Sequence, residues 1–319
     1  MTMAMTPEAQ PWAGIFSHEA LFYAGLTDFI ARTTPFIREG VNAGEPVLVV
    51  VNATKIDALR DELGPDAVDV RFADMADVGS NPARIIPAWK EFVSEFAAAG
   101  YPARGIGEPI WADRTPDELV ECERHEALLN VAFTGGAPWR LMCPYDVTAL
   151  DPAVIQEAGR NHRFLFTNDR FRESAFYRDA DEAAKPFDKP LPEPKGALRQ
   201  MTFDVSGLDG VRLFAAAEAT GFGLDAMRID DLVLAVNEIA TNSLRHGGGS
   251  GSLRTWRTGD TLVCEVRDHG RIEEPLVGRE RPVPDQEGGY GLWLANQLCD
   301  LVQIRTFADG SVVRLHMSR

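Results

Sequence analysis

The chain has few cysteines, a deficit of positive charge and no long apolar run. Its 319 residues include four cysteines, Cys122, Cys143, Cys264 and Cys299, and no two of them form a CxxC pair. That spacing excludes a zinc ribbon or finger and the disulfide framework of a small secreted module. Lys and Arg number 32 against 48 Asp and Glu, a net charge of −16. Phosphate backbones and anionic headgroups attract basic surfaces, so direct nucleic-acid or membrane-surface binding is disfavoured. The most apolar short stretch, Pro46–Val51, is far below the roughly 18 residues that a membrane span needs. Residues 1–14 have neither the basic nor the apolar region of a signal peptide, and a reduced, cytoplasmic setting is expected. No G-x-x-x-x-G-K-[ST] occurs, so a P-loop nucleotide site is not expected.

What is present is the composition of a globular chain, 45% hydrophobic and 25% charged, long enough for two domains. Residues 185–195 read KPFDKPLPEPK, and four prolines in eleven residues exclude a helix interior or a central strand. The expected division is a domain over residues 10–182, a proline-rich linker over 183–197 and a second domain over 198–319. Twelve of the sixteen net negative charges fall before residue 196.

The first domain alternates helical patterns (27–43, 56–63, 85–99, 118–133) with continuous β-branched or apolar runs (47–51, 68–72, 103–106, 139–143). Apolar strands between helices predict a doubly wound α/β domain with a mostly parallel sheet. The second domain predicts strands over 201–205, 252–258, 261–267, 301–307 and 311–316 and helices over 211–220, 229–246 and 290–300. Helices beside an antiparallel meander make an α+β sandwich.

Three separated motifs in that second domain point to chemistry. In the helix over 229–246, Glu238 and Asn242 are four residues apart and share a face, while Leu232, Val236, Ala240 and Ser243 form the buried stripe. A carboxylate beside an amide oxygen on a rigid helix suits a hydrated hard cation, or a base acting beside one. Asp268-His-Gly270 ends a strand, where an aspartate can accept from an exocyclic amine and a glycine lets a flat ring approach. Gly288-Gly-Tyr-Gly-Leu292 opens a helix and turns free N–H groups toward an anion. Each motif alone has a bland alternative as a solvated face, a turn or a loop.

Together they resemble the nucleotide site of the GHKL ATPase superfamily over residues 196–319. The N-box is carried by Glu238, Asn242 and His246, the first glycine box by Asp268 and Gly270, and the second by Gly288, Gly289, Gly291 and Leu292. The resemblance implies an ATP laid in the sandwich, with Asn242 reaching Mg²⁺ and the phosphates and Asp268 reaching the adenine amine. It also implies a lid over 271–287 and a hydroxyl, Ser311, near the adenine. Arg279 and Arg281 could neutralise phosphate, although two loop arginines are more often solvated. The proline linker leaves no room for the helical hairpin of a histidine kinase, so the chain looks like the anti-sigma factor, serine kinase branch. That branch implies a sigma factor or an anti-sigma antagonist of the STAS type as partner, Glu238 as general base, and a dimer through this domain.

In the first domain, His18-Glu-Ala-Leu-Phe-Tyr23, Gly107-Glu-Pro-Ile-Trp111, Glu126-Ala-Leu-Leu-Asn130, Cys143-Pro-Tyr-Asp146 and His162 resemble the MEDS sensory domain, a RecA-like fold here without its P-loop. His18, Glu108, Glu126, Cys143 and His162 are expected to converge at the carboxyl ends of the strands, where open α/β sheets bind ligands. A metal or small-molecule site there competes with ordinary burial of the thiol and the imidazoles. Trp111, Trp139 and Tyr145 line an apolar pocket or fill the core, the better expectation for Trp139. The whole reads as a cytoplasmic regulator with ATP and Mg²⁺ as cofactors, which phosphorylates an antagonist or holds a sigma factor under sensory control. The rivals are a nucleotide-switched binder without kinase activity, an atypical histidine kinase using His125 or His162, and a metabolic enzyme in the first domain.

Overall fold

Val47-Leu-Val-Val-Val51 has the β-branched content of a strand buried on both faces, and it is one: β2 (Val47–Val51) lies inside a seven-stranded sheet. A computed structural model of the chain describes residues 15–97, 102–167, 170–178, 189–282 and 289–319. The sheet also takes β1 (Phe16–Tyr23), β3 (Val70–Asp74), β4 (Ala103–Gly107), β5 (Trp139–Asp146), β6 (Phe164–Thr167) and β7 (Arg170–Glu173), in the order β3-β2-β4-β5-β1-β6-β7. Every pairing is parallel except β6 with β7. Helices α1 (Gly25–Ala43), α2 (Ala53–Leu63), α3 (Met75–Val78), α4 (Ile85–Ala97), α5 (Pro116–Phe133) and α6 (Pro152–Asn161) connect the strands. Leu21, Phe29, Ile37, Val49, Leu59 and Ile106 belong to the apolar cluster between sheet and helices.

The sequence pattern misses β1, although it is the pivot of the sheet. Its Phe-Ser-His-Glu start reads as polar, yet Ser17, His18 and Glu19 are all buried. The cost of burying Glu19 is offset next door: Arg140 on β5 donates from Nε at 2.8 Å and Nη2 at 2.9 Å, one to each carboxylate oxygen. Ser17 Oγ donates to the same carboxylate at 2.8 Å.

The remaining elements form a five-stranded antiparallel sheet, β8 (Arg199–Asp204), β9 (Ser250–Thr258), β10 (Thr261–Asp268), β11 (Leu301–Phe307) and β12 (Gly310–Ser318), in the order β11-β12-β10-β9-β8. Helices α7 (Leu208–Phe222), α8 (Ala226–His246) and α9 (Tyr290–Leu298) accompany it. Leu232, Val236 and Ala240 of α8 join Leu262, Cys264, Val266, Val313 and Leu315 in one apolar cluster. The stripe expected on α8 is therefore buried, and Ala235 and Ile239 widen it. Asp225 caps α8 by accepting from the Arg228 backbone N–H at 2.9 Å.

Two compact units result. One takes the described residues up to Val78, Ala88–Thr115 and those of Leu129–Ala180; the other takes Gly79–Pro87, Pro116–Leu128 and those of Asp181–Arg319. Residues 185–188 of the proline segment lie outside the described residues; Glu193, further on, accepts from Arg254 at 2.7 Å and Arg267 at 2.9 Å. No helix among the described residues is long and apolar enough to cross a membrane.

Candidate functional site

The second unit holds a cavity of about 240 Å³ where the last turns of α8, the loop after β10 and the start of α9 meet. Asn242, His246, Asp268, Gly270, Gly289, Leu292 and Ser311 line it. Seven residues singled out in the sequence thus line one cavity. Glu238 and Gly291 stand beside it, because a Cβ built on Gly291 would lie 2.9 Å from Asn242 Nδ2 and 3.2 Å from Glu238 Oε2. Only a glycine lets the opening turn of α9 come this close to the acidic face of α8. Gly289, the N-cap of α9, has φ 86°, in the left-handed region that favours glycine. Gly288 and residues 283–287 of the expected lid lie outside the described residues.

Asp268 is the most firmly held polar group of the site. Its Oδ1 accepts from the Gly270 backbone N–H at 2.7 Å and from Ser311 Oγ at 2.9 Å. Its Oδ2 accepts from Ser243 Oγ at 2.6 Å. A carboxylate has about four lone-pair sites, so one acceptor position on Oδ2 is left for a ligand amine. Ser243 was expected only as part of the buried stripe; it is a positioning residue, one turn from the end of α8 and aimed at the aspartate. The glycine at 270 has a reason besides ring approach, since a Cβ there would lie 2.6 Å from the His246 carbonyl oxygen. It lets the loop after β10 seat on the C-terminus of α8.

The loop arginines behave differently from the expectation. Arg281 is exposed. Arg279 is only 3% exposed and neither solvated nor among the residues lining the cavity. Its Nη2 donates to Glu121 Oε2 at 3.0 Å, and burial pushes its guanidinium down to about 10. Glu121, within the α5 segment that belongs to this same unit, also accepts from Arg305 Nη1 at 2.8 Å. A buried carboxylate with two arginines is costly to break by removing one partner.

Of the five expected residues Glu126 belongs to the second unit, and the other four, in the first, do not all meet. Glu108 follows the end of β4 and accepts from Tyr23 Oη and from Lys55 Nζ, which also donates to Tyr23 Oη at 2.7 Å. Burial pushes the carboxyl of Glu108 up. This group is what occupies the carboxyl ends of the strands, since Tyr23 is the last residue of β1. His18 is the third residue of β1, near its amino end, and Cys143 lies opposite Ala20 in mid-strand. Ligand atoms of His18, Cys143 and His162 all lie within 4.8 Å of one another, and the three side chains are buried. The convergence is therefore on the face of the sheet, not at its carboxyl edge, and it excludes Glu108. Trp139 is core, with its ring centroid 4.7 Å from Phe133 and 5.0 Å from Phe16.

Comparison with known proteins follows the same division. Residues 17–163 match the MEDS family, the methanogen/methylotroph, DcmR sensory domain, and residues 201–317 match the histidine kinase-like ATPase domain. The chain therefore combines a MEDS domain with a histidine kinase-like ATPase domain. No curated protein matches it. Among solved structures it is similar to the RsbU and RsbW domains of a Mycobacterium tuberculosis protein, at 21% identity over 39% of this chain and with a TM-score of 0.30. This chain covers 32% of that one, about a third of its length.

Proposed function

We propose that the second unit binds ATP with Mg²⁺ and acts as an anti-sigma-type regulator, transferring the γ-phosphoryl group to a serine or threonine of an anti-sigma antagonist. The observation that carries this reading is the meeting of Glu238 and Asn242 with the glycine-opened start of α9 beside a cavity that Asp268 also lines. The cavity fits such a ligand: the remaining acceptor of Asp268 suits an adenine amine, and the first N–H groups of α9 suit phosphate. Asn242 would hold the metal ion through its amide oxygen and waters. Mg²⁺, when bound, neutralises charge on the phosphates. Glu238, one turn before Asn242, is the base that takes the proton of the incoming hydroxyl. Positioning and charge neutralisation account for most of such a transfer.

The gating half of the proposal is supported by Glu121. It ties the loop segment bearing Arg279 to α5, so a change in α5 has a direct route to the loop beside the nucleotide cavity. The atypical histidine kinase is disfavoured, since His125 is 1% and His162 0% exposed and neither imidazole can meet a phosphoryl donor.

Two measurements test the reading. Calorimetry with ATP and Mg²⁺ should give a heat of association, and its absence removes the nucleotide claim. Incubation with γ-labelled ATP and a candidate antagonist should label the antagonist. Tight ATP binding with no phosphoprotein selects the switch without transfer.

A further inference from the structure

We propose that His18, Cys143 and His162 of the first unit form a binding site for a divalent transition metal of the zinc class. The proposal is independent of the nucleotide site. Its first ground is the donor set: two imidazoles and a thiol, all buried, with ligand atoms within 4.8 Å of one another. Two nitrogen donors and one sulfur donor match a zinc-type site that keeps its fourth position for water or a ligand.

The second ground is the way the two rings are held. His162 Nδ1 lies 2.8 Å from the Ala158 carbonyl oxygen, one turn back at the end of α6. A carbonyl only accepts, so the proton sits on Nδ1 and the lone pair is on Nε2. His18 Nδ1 lies 3.2 Å from Asn130 Oδ1. The orientation of that amide is set independently, because Asn130 Nδ2 donates to the Asn161 carbonyl at 2.8 Å. Asn130 therefore accepts from His18 Nδ1, and the lone pair of His18 Nε2 faces Cys143 Sγ at 3.3 Å. Both imidazoles thus have Nδ1–H engaged by an oxygen and Nε2 directed inward, with ring centroids 3.9 Å apart. Such outer oxygen partners are the usual device that fixes the tautomer of a metal-bound histidine. Binding would replace the proton of the Cys143 thiol by the metal and release that proton to solvent.

The test uses the full chain, purified without a histidine tag and stripped with a chelator, and Co²⁺ as probe. Titration should give tetrahedral ligand-field bands and a thiolate-to-cobalt charge-transfer band, saturating at one ion per chain. Zn²⁺ should displace it. Cys143→Ser should abolish the charge-transfer band, and His162→Gln should weaken binding while the thermal transition of the metal-free protein stays in place. Asn130→Ala, which removes no ligand, should weaken Co²⁺ binding by about 10–100-fold. A featureless titration overturns the proposal, as does a charge-transfer band that persists in Cys143→Ser, which would place the ion on Cys122, Cys264 or Cys299.

Discussion

The two units hold their polar clusters in opposite ways. In the second unit Glu238, Asn242 and Asp268 are half-buried and His246 is exposed, around a cavity that opens on loops and helix ends. In the first unit His18, Cys143 and His162 are buried together. The difference is one of exchange. A half-open site lets a ligand enter and leave on each cycle, and its polar groups keep water when empty. A sealed group of donors suits something retained, because burying polar atoms is unfavourable unless each is satisfied in place.

That contrast can be broken by mutation, beginning where the effect is largest. Glu238→Ala should cut phosphoryl transfer to the antagonist by about 10²–10⁴-fold in a labelling assay while calorimetry still registers ATP. Equal rates would leave the second unit a binder. Asp268→Ala removes the acceptor for the ligand amine and the anchor for Ser243, Ser311 and Gly270. Hydrogen bonds to charged groups are worth about 1.5–3 kcal/mol, so ATP affinity should fall on the order of 10–150-fold by calorimetry. Gly270→Ala meets the His246 carbonyl, a backbone atom that cannot swing aside. Such overpacking should cost about 1–3 kcal/mol in denaturant unfolding of the full chain.

The smallest effect concerns Glu193. Hydrogen bonds from Arg254 and Arg267 hold its carboxyl down to about 2. A folded value below the ordinary one of 4.5 gives stability that is full above that value and is lost as pH falls toward about 2. The carboxylate is 65% exposed, so screening limits the gain to about 1 kcal/mol or less. Glu193→Gln should lower the melting temperature slightly near neutral pH, with the difference from the parent shrinking in acid.

Much of this was legible in the residues. The cavity of the second unit was readable because its parts lie in three short motifs, and helix and turn rules place each part locally. Ser243 was not, since a serine within an apolar stripe carries no sign of the aspartate that β10 brings to it. Arg279 was misjudged because the partner that buries it, Glu121, is 158 positions earlier. Strand β1 was hidden by its own polar residues, whose burial depends on Arg140.

What the sequence alone determined is the alternation that makes one parallel and one antiparallel sheet, and the helix spacing that puts Glu238 beside Asn242. Both follow from local periodicity, which needs no distant partner. The tertiary structure decided which of His18, Glu108, Glu126, Cys143 and His162 meet, and where on the sheet they do so. Strand order and register set those distances, and they arise from pairings between residues more than a hundred positions apart, such as Ala20 with Cys143.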